Sequence, residues 1–102
     1  MRVKTFTKRD IAKIVSKNLN TSIRKSVLYT DKVFNAVREL LCKDDDYIRV
    51  EVRNFGVIES KPAKAKPKAR NPRTNEEIFV PAHKKTHFKP GKLIKEHLKK
   101  PI

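Results

Sequence analysis

Two glycines, a single cysteine and no apolar run long enough to cross a bilayer mark this 102-residue chain by what it lacks. No glycine-rich loop is present to cradle a nucleotide phosphate. Cys42 has no partner for a disulfide, and its place beside Leu40 and Leu41 reads as a packed thiol in a reducing, intracellular setting. The N-terminus lacks the apolar region of a signal peptide. Acids are scarce as well. The one acidic run, Asp44-Asp45-Asp46, has none of the alternating ligands, glycine or closing Glu of a calcium loop, and reads as a solvated turn. His83 and His87 are four apart, but in strand and connector, beside Lys84 and Lys85, which would repel a divalent cation. Glu76 and Glu77 are adjacent and would face opposite ways in a strand. No nucleophile has an evident base. These absences describe a binder, not an enzyme, with no metal and no cofactor.

What the chain has is positive charge: 26 Lys and Arg against 11 Asp and Glu, a formal net charge of +15. It is unevenly placed. Residues 61–102 hold 13 cations and 3 acids, whereas residues 44–60 hold 2 cations and 5 acids. Such concentration favours a polyanionic partner, with nucleic acid the default. An anionic membrane fits less well, because the basic stretch has no aromatic or leucine-rich face to insert.

That stretch runs from Lys61 to Lys85. Lys64, Lys66, Lys68 and Arg70 follow a strict period of two, which in an extended strand puts all four on one face, with Ala65, Pro67 and Ala69 on the other. Pro67 cannot donate to a ladder, so the strand cannot be central. Asn71-Pro72-Arg73-Thr74-Asn75 has the chemistry of a turn. Ile78, Val80 and Ala82 then alternate as a return strand, which a disordered basic linker has no reason to do. The pattern describes a β-hairpin arm standing off the body.

The rest of the chain supplies a small body. Thr7 and Asp10 form a capping-box variant before Ile11, Ile14, Val15 and Leu19, predicting a helix over Lys8–Asn18 ended by Asn18-Leu19-Asn20. A second, longer amphipathic helix starts near Ser22, with Ile23, Val27, Thr30, Phe34, Val37 and Leu41 on a stripe widened by Val33 and Leu40. That stripe can meet both its own chain and a partner. Tyr47–Val52 alternate, with Ile48, Val50 and Val52 on one face and Arg49, Glu51 and Arg53 on the other. Phe55-Gly56 is expected to make a tight reversal into the strand begun by Val57-Ile58. Pro90 suits the first turn of a last helix carrying Leu93, Ile94 and Leu98 and closed before Pro101. The fold class is therefore α+β: two helices, three antiparallel strands with a long arm, and a short helix. One domain is all that this length allows, and 77 residues outside the arm are few for a core, so dimerisation is the simplest remedy.

Phe55-Gly56, Arg70-Asn71-Pro72-x-Thr74 and Phe88-Lys89-Pro90-Gly91-Lys92 together resemble the HU/IHF family of bacterial DNA-bending proteins over nearly the whole chain. The resemblance implies one DNA-binding domain over 1–102: a helical base at about 7–43, a sheet at 47–60 and 86–88, an arm at 61–85 and a helix at about 90–100. It implies an intertwined homodimer, or a heterodimer with a paralogue, whose arms enter the minor groove of double-stranded DNA in the cytoplasm, at the nucleoid. By likeness Pro72 is the wedge between base pairs, and Arg70 and Asn71 lie beside it. Lys92 matches a phosphate-contacting position, and Phe55 and Phe88 match dimer-core positions, to which Phe34 is added. The remaining DNA-contact candidates are Lys61, Lys64, Lys66, Lys68, Arg73, Lys84 and Lys85. The chain departs from the family pattern in a first arm strand one residue longer, which implies a bulge, in Ala69 and Asn75 where glycines are usual, and in a longer acidic turn. The expected function is DNA bending with little sequence preference. The alternatives are a sequence-specific bender of the integration-host-factor kind, an RNA-binding structural protein, and a basic adhesin for sulfated glycans.

Overall fold

The computed structural model describes residues 2–64 and 66–102, with the side chains of 66–69 and 80 outside the description. Two compact units emerge, Met1–Glu39 and Leu40–Ile102.

In the first unit α1 spans Lys8–Leu19, one residue beyond the expected end. Its start is fixed by Asp10, whose carboxylate accepts the Thr7 backbone N–H at 2.8 Å and the Thr7 hydroxyl at 3.0 Å. Those two bonds, the backbone one first, hold the Asp10 carboxyl below its ordinary pKa. At the other end Asn20 takes a left-handed conformation (φ 51°), and the Asn20 and Thr21 N–H groups bond back to Lys17 and Ser16 carbonyls. α2 spans Ile23–Leu41, with the Ser22 hydroxyl accepting the Lys25 N–H at its start. The buried residues here are Ala12 and Ser16 on α1 and Ser26 and Thr30 on α2. On each helix the buried positions are i and i+4 and carry small side chains. Lys8 Nζ also pairs with Asp31 Oδ1 at 2.6 Å across the two helices. Ala12 is the one fully buried apolar residue among those described. Ile11 and Val15 of α1 and Tyr29, Val33 and Phe34 of α2 instead line an open apolar groove.

The second unit holds the expected three-stranded sheet and hairpin arm as β1 (Ile48–Val52), β2 (Gly56–Ala63), β3 (Lys66–Arg70), β4 (Glu77–Val80) and β5 (His83–Pro90), followed by α3 (Lys92–Leu98). They form a three-stranded antiparallel sheet in the order β1-β2-β5 and a separate β3-β4 ribbon. The sheet therefore extends past residue 60 and starts its return at 83 instead of 86. Pro62 fits because β1 stops pairing at Ser60, so β2 has a free side beyond it. The β1–β2 reversal occupies residues 53–55, not Phe55-Gly56. Asn54 takes the left-handed position (φ 65°), the Phe55 N–H bonds the Val52 carbonyl, and Gly56 already pairs with Val52 and Pro90.

Pro90 likewise closes β5 instead of opening α3. One physical knot explains both motifs. A side chain at Gly56 would meet the Lys89 carbonyl at 2.5 Å and the Phe88 ring at 2.8 Å. The Gly91 N–H donates to the Phe55 carbonyl at 2.7 Å, and the Phe55 and Phe88 rings lie 5.2 Å apart. Two glycines are few, but both stand where backbone must touch backbone.

Candidate nucleic-acid interface

Register sorts the sheet into two faces. Arg49 pairs with Glu59, and Glu59 with His87. Alternation then places Arg49, Glu59, Lys61, Lys85, His87 and Lys89 on one face, and Val50, Ile58 and Phe88 on the other. Glu59 is the centre of the basic face. Its side chain is 1% exposed, with Lys89 Nζ at 3.2 Å, Arg49 Nε at 3.6 Å and Lys61 Nζ at 3.7 Å. Burial by itself would raise its pKa. The Tyr47 hydroxyl bond, Lys89 and Lys61 outweigh burial and hold the carboxyl below its ordinary value. Tyr47 is pushed up in turn, first by that bond and then by burial and the Glu59 charge. Glu51 lies on the same face and pairs with Arg49 at 3.1 Å, so the result is a surface whose cations outnumber its two acids, with Arg49, Lys61 and Lys89 gathered around Glu59.

Beyond the sheet, the β3-β4 ribbon pairs Lys66 with Val80, Ala69 with Ile78 and Arg70 with Glu77. Three residues on β3 thus match two on β4. The extra residue falls in the segment containing Pro67, which has no N–H for the ladder. The bulge implied by the long first strand is present. It also breaks the strict period of two: by pairing, positions 66 and 69 are in phase and 70 is out of phase with 66. The expectation that 64, 66, 68 and 70 share one face is corrected accordingly. The side chains of Lys66 and Lys68 lie outside the described residues, as does Ala65.

The tip is built around Asn71. Its N–H bonds the Glu76 carbonyl at 2.9 Å, its carbonyl accepts the Asn75 N–H at 2.7 Å, and its Oδ1 accepts the Arg73 N–H at 2.9 Å. Asn71 thus organises the turn, and its side chain is engaged there. Asn75 takes φ 57°, the left-handed geometry that Asn tolerates in place of glycine, and its Oδ1 accepts Arg70 Nη1 at 3.2 Å. Pro72 and Arg73 stand exposed between them. Lys64 is exposed where β2 ends. Lys92 opens α3, with its ammonium exposed and Glu96 at 4.0 Å.

Lys84 differs from the expectation. It lies on the face opposite Lys85, and its Nζ donates to the Asp45 carbonyl at 2.7 Å. The acidic turn holds that lysine within the body. His83 Nδ1 lies 2.9 Å from the Pro81 carbonyl, and no His, Cys, Asp or Glu cluster suited to a metal occurs among the described residues. Phe34, Phe55 and Phe88 are 44, 45 and 41% exposed in the single chain. Cys42 is exposed, not packed. No described helix is long and apolar enough to cross a membrane.

Sequence reasoning did not count Arg49, Glu59 or Lys89 among the contact residues, and weighed His87 only as a metal ligand. The alternation of 48–52 marked a polar face, but a register across three strands was needed to see these residues converge.

The profile of the family described as "Bacterial DNA-binding protein" matches residues 6–99, and the chain belongs to that family. It is 35% identical over 94 residues to DNA-binding protein HU of Geobacillus stearothermophilus, covering 92% of this chain and 100% of that one. It is 30% identical over 93 residues to integration host factor subunit alpha of Hydrogenovibrio crunogenus, covering 91% and 92%. Among solved structures the Anabaena HU–DNA cocrystal structure is similar, with a TM-score of 0.80, 26% identity, and coverage of 94% of this chain and 100% of that one.

Proposed function

We propose that this chain is an architectural DNA-binding protein that acts as a dimer, grips duplex DNA with its arms and bends it with little regard to sequence. The observation that carries the proposal is the continuity of charge and shape in one unit. A sheet with a basic face runs into a slim ribbon whose exposed tip holds Pro72 between Arg70 and Arg73. The family and the HU–DNA cocrystal likeness support it.

In this reading, Arg49, Lys61, Lys85 and Lys89 on the sheet, Lys64, Lys66, Lys68 and Arg70 on the arm, and Lys92 on α3 neutralise phosphates and release counterions. Arg73 supports the tip. Pro72 offers a rigid apolar surface to a base step, where apolar wedges partly unstack the bases and kink the duplex. That behaviour is a known property of HU and IHF themselves. Lysines and a proline read shape better than base identity, which gives weak sequence preference. Phe34, Phe55, Phe88 and the α1–α2 groove are the apolar surface that a second copy, or a paralogue, would cover. A place at the bacterial nucleoid and the absence of catalysis belong to the same proposal.

Energy transfer between dyes on the two ends of a short duplex, read at saturating protein, tests bending. Sedimentation at micromolar protein tests the dimer. An unbent duplex, or a compact stable monomer, would overturn the respective part. The likeness to an integration host factor subunit favours a second reading, sequence-specific bending. Competition between random and selected duplexes separates the two.

A further inference from the structure

We propose that Lys84 is a positioning residue for DNA bending: its bond to the Asp45 carbonyl straps the root of the arm to the sheet and fixes the direction in which the arm leaves. Register shows where such a strap matters. β2 and β5 keep one register from Gly56↔Pro90 to Ala63↔His83, and Lys66↔Val80 continues it, so the arm is an outgrowth of these two strands. β1 accompanies them only as far as Ile48↔Ser60. Past Ser60 the ribbon has two strands, and a two-stranded ribbon is marginal alone and twists more than a sheet. The root of the arm is the row where β1 is lost.

Lys84 stands just beyond that row, opposite Pro62. Its Nζ donates at 2.7 Å to the carbonyl of Asp45, in the turn that leads into β1 and 39 residues away in the chain. β5 and β1 flank β2, two strand spacings or about 10 Å apart, so the lysine stem crosses β2 to make this bond. Pro62 has no N–H to offer a third strand here, and the lysine makes the cross-link that such a strand would supply. The donor is charged, which makes the bond stronger than one between neutral groups. Asp44 and Asp46 flank the acceptor, and their charge favours an ammonium there. Lys84 forms no ion pair among the described residues, so a backbone carbonyl sets its position. The bond lies on the face opposite Lys85 and spans the root without occupying the basic face. Lys84 thus acts on DNA through the arm, not by touching phosphate.

This inference rests on the reading of the chain as a DNA-bending protein, and the test separates the two. In the full chain, Lys84→Met keeps most of the stem and removes the donor. At saturating protein, the distribution of end-to-end distances read by energy transfer on a short duplex should broaden toward longer values. Affinity for that duplex should fall about two- to tenfold, the range of one net hydrogen bond. The slope of log K against log salt should stay parental, because no phosphate contact is lost. Lys84→Arg, which can still donate to the carbonyl, should restore the parental distribution. Lys85→Met, one residue away on the basic face, should do the reverse, with a slope shallower by about 0.9 per protomer and an unbroadened distribution. If Lys84→Met fails to fold by circular dichroism, deletion of Asp44 and Asp45 decides: it withdraws the acceptor, leaves Lys84 in place and should broaden the distribution. A variant distribution identical to the parent's overturns the strap. A slope shallower by about 0.9 in Lys84→Met overturns it too, since Lys84 is then a phosphate contact. A parent that leaves the duplex straight overturns the bending reading itself.

Discussion

The β1-β2-β5 sheet and the β3-β4 ribbon belong to one arm-bearing unit, yet they are held by different forces. At the sheet, contacts come from far along the chain: Gly91 on the Phe55 carbonyl, Phe88 on Phe55, and Lys89 and Arg49 on Glu59. At the ribbon tip, the bonds join residues at most five apart, Arg70 to Asn75 and Asn71 to Arg73, Asn75 and Glu76. The sheet can be stable only as part of the folded unit. The tip keeps its shape by local geometry while remaining open to a ligand. If the contrast is real, substitutions at the sheet remove stability and substitutions at the tip remove function.

The largest effect is expected from Phe88→Ala. Once a second copy covers the ring, its removal should cost about 3–5 kcal/mol, read from denaturant unfolding over a range of protein concentrations. A cost well below that would mean that the ring stays as exposed as in the single chain. Gly56→Ala comes next, at about 1–3 kcal/mol, because the new methyl has only backbone and a packed ring to displace. Unaltered thermal unfolding would show that the knot is loose.

Pro72→Ala should leave unfolding untouched. It removes no charge, so the salt slope should hold. Affinity for nicked or flexible DNA should fall by about 1–3 kcal/mol, scaled from the few kcal/mol that unstacking a base step involves. Full bending by this variant would remove the wedge from the mechanism. Asn75→Ala forces an alanine to φ 57°, a strain of about 1 kcal/mol or more that Asn75→Gly avoids. The two variants should separate in DNA binding but hardly in global unfolding.

The smallest and most diagnostic effect concerns pH. Glu59 titrates below its ordinary value when folded, so its contribution is present above the unfolded carboxylate pKa and is lost as pH falls through the folded one. Tyr47 titrates above its ordinary 10.0, so its contribution is present below that value and is lost as pH rises through the folded pKa. Glu59→Gln should flatten the acid limb of stability and reduce the Tyr47 displacement, leaving the part that comes from burial. An acid limb identical to the parent's would place the responsible carboxylate elsewhere.

Much of this architecture was legible in the residues. The Thr7–Asp10 cap, the Asn20 stop, the alternation of Ile48, Val50 and Val52, and the tip turn all depend on neighbours within a few positions, where residue chemistry acts directly. The bulge in the first arm strand was implied by the family resemblance, against which that strand is one residue long. Other expectations failed where position depended on pairing. Gly56 was expected in the reversal and Pro90 in a helix, but each pairs with the other across β2 and β5. The bond from Lys84, a candidate DNA contact, to the Asp45 carbonyl joins residues 39 apart, which spacing alone does not show.

Charge, its crowding into the second half of the chain, the period-two arm and the proline turn are set by the sequence itself, because they are properties of residue type and spacing. The tertiary structure decided which cations share a surface. A strand has two faces, and a bulge at 66–69 exchanges them without altering composition. Register alone brings Arg49 and Lys89 onto the buried carboxylate of Glu59, beside Lys61 of its own strand, since residues so far apart in the chain meet only when the strands are laid side by side.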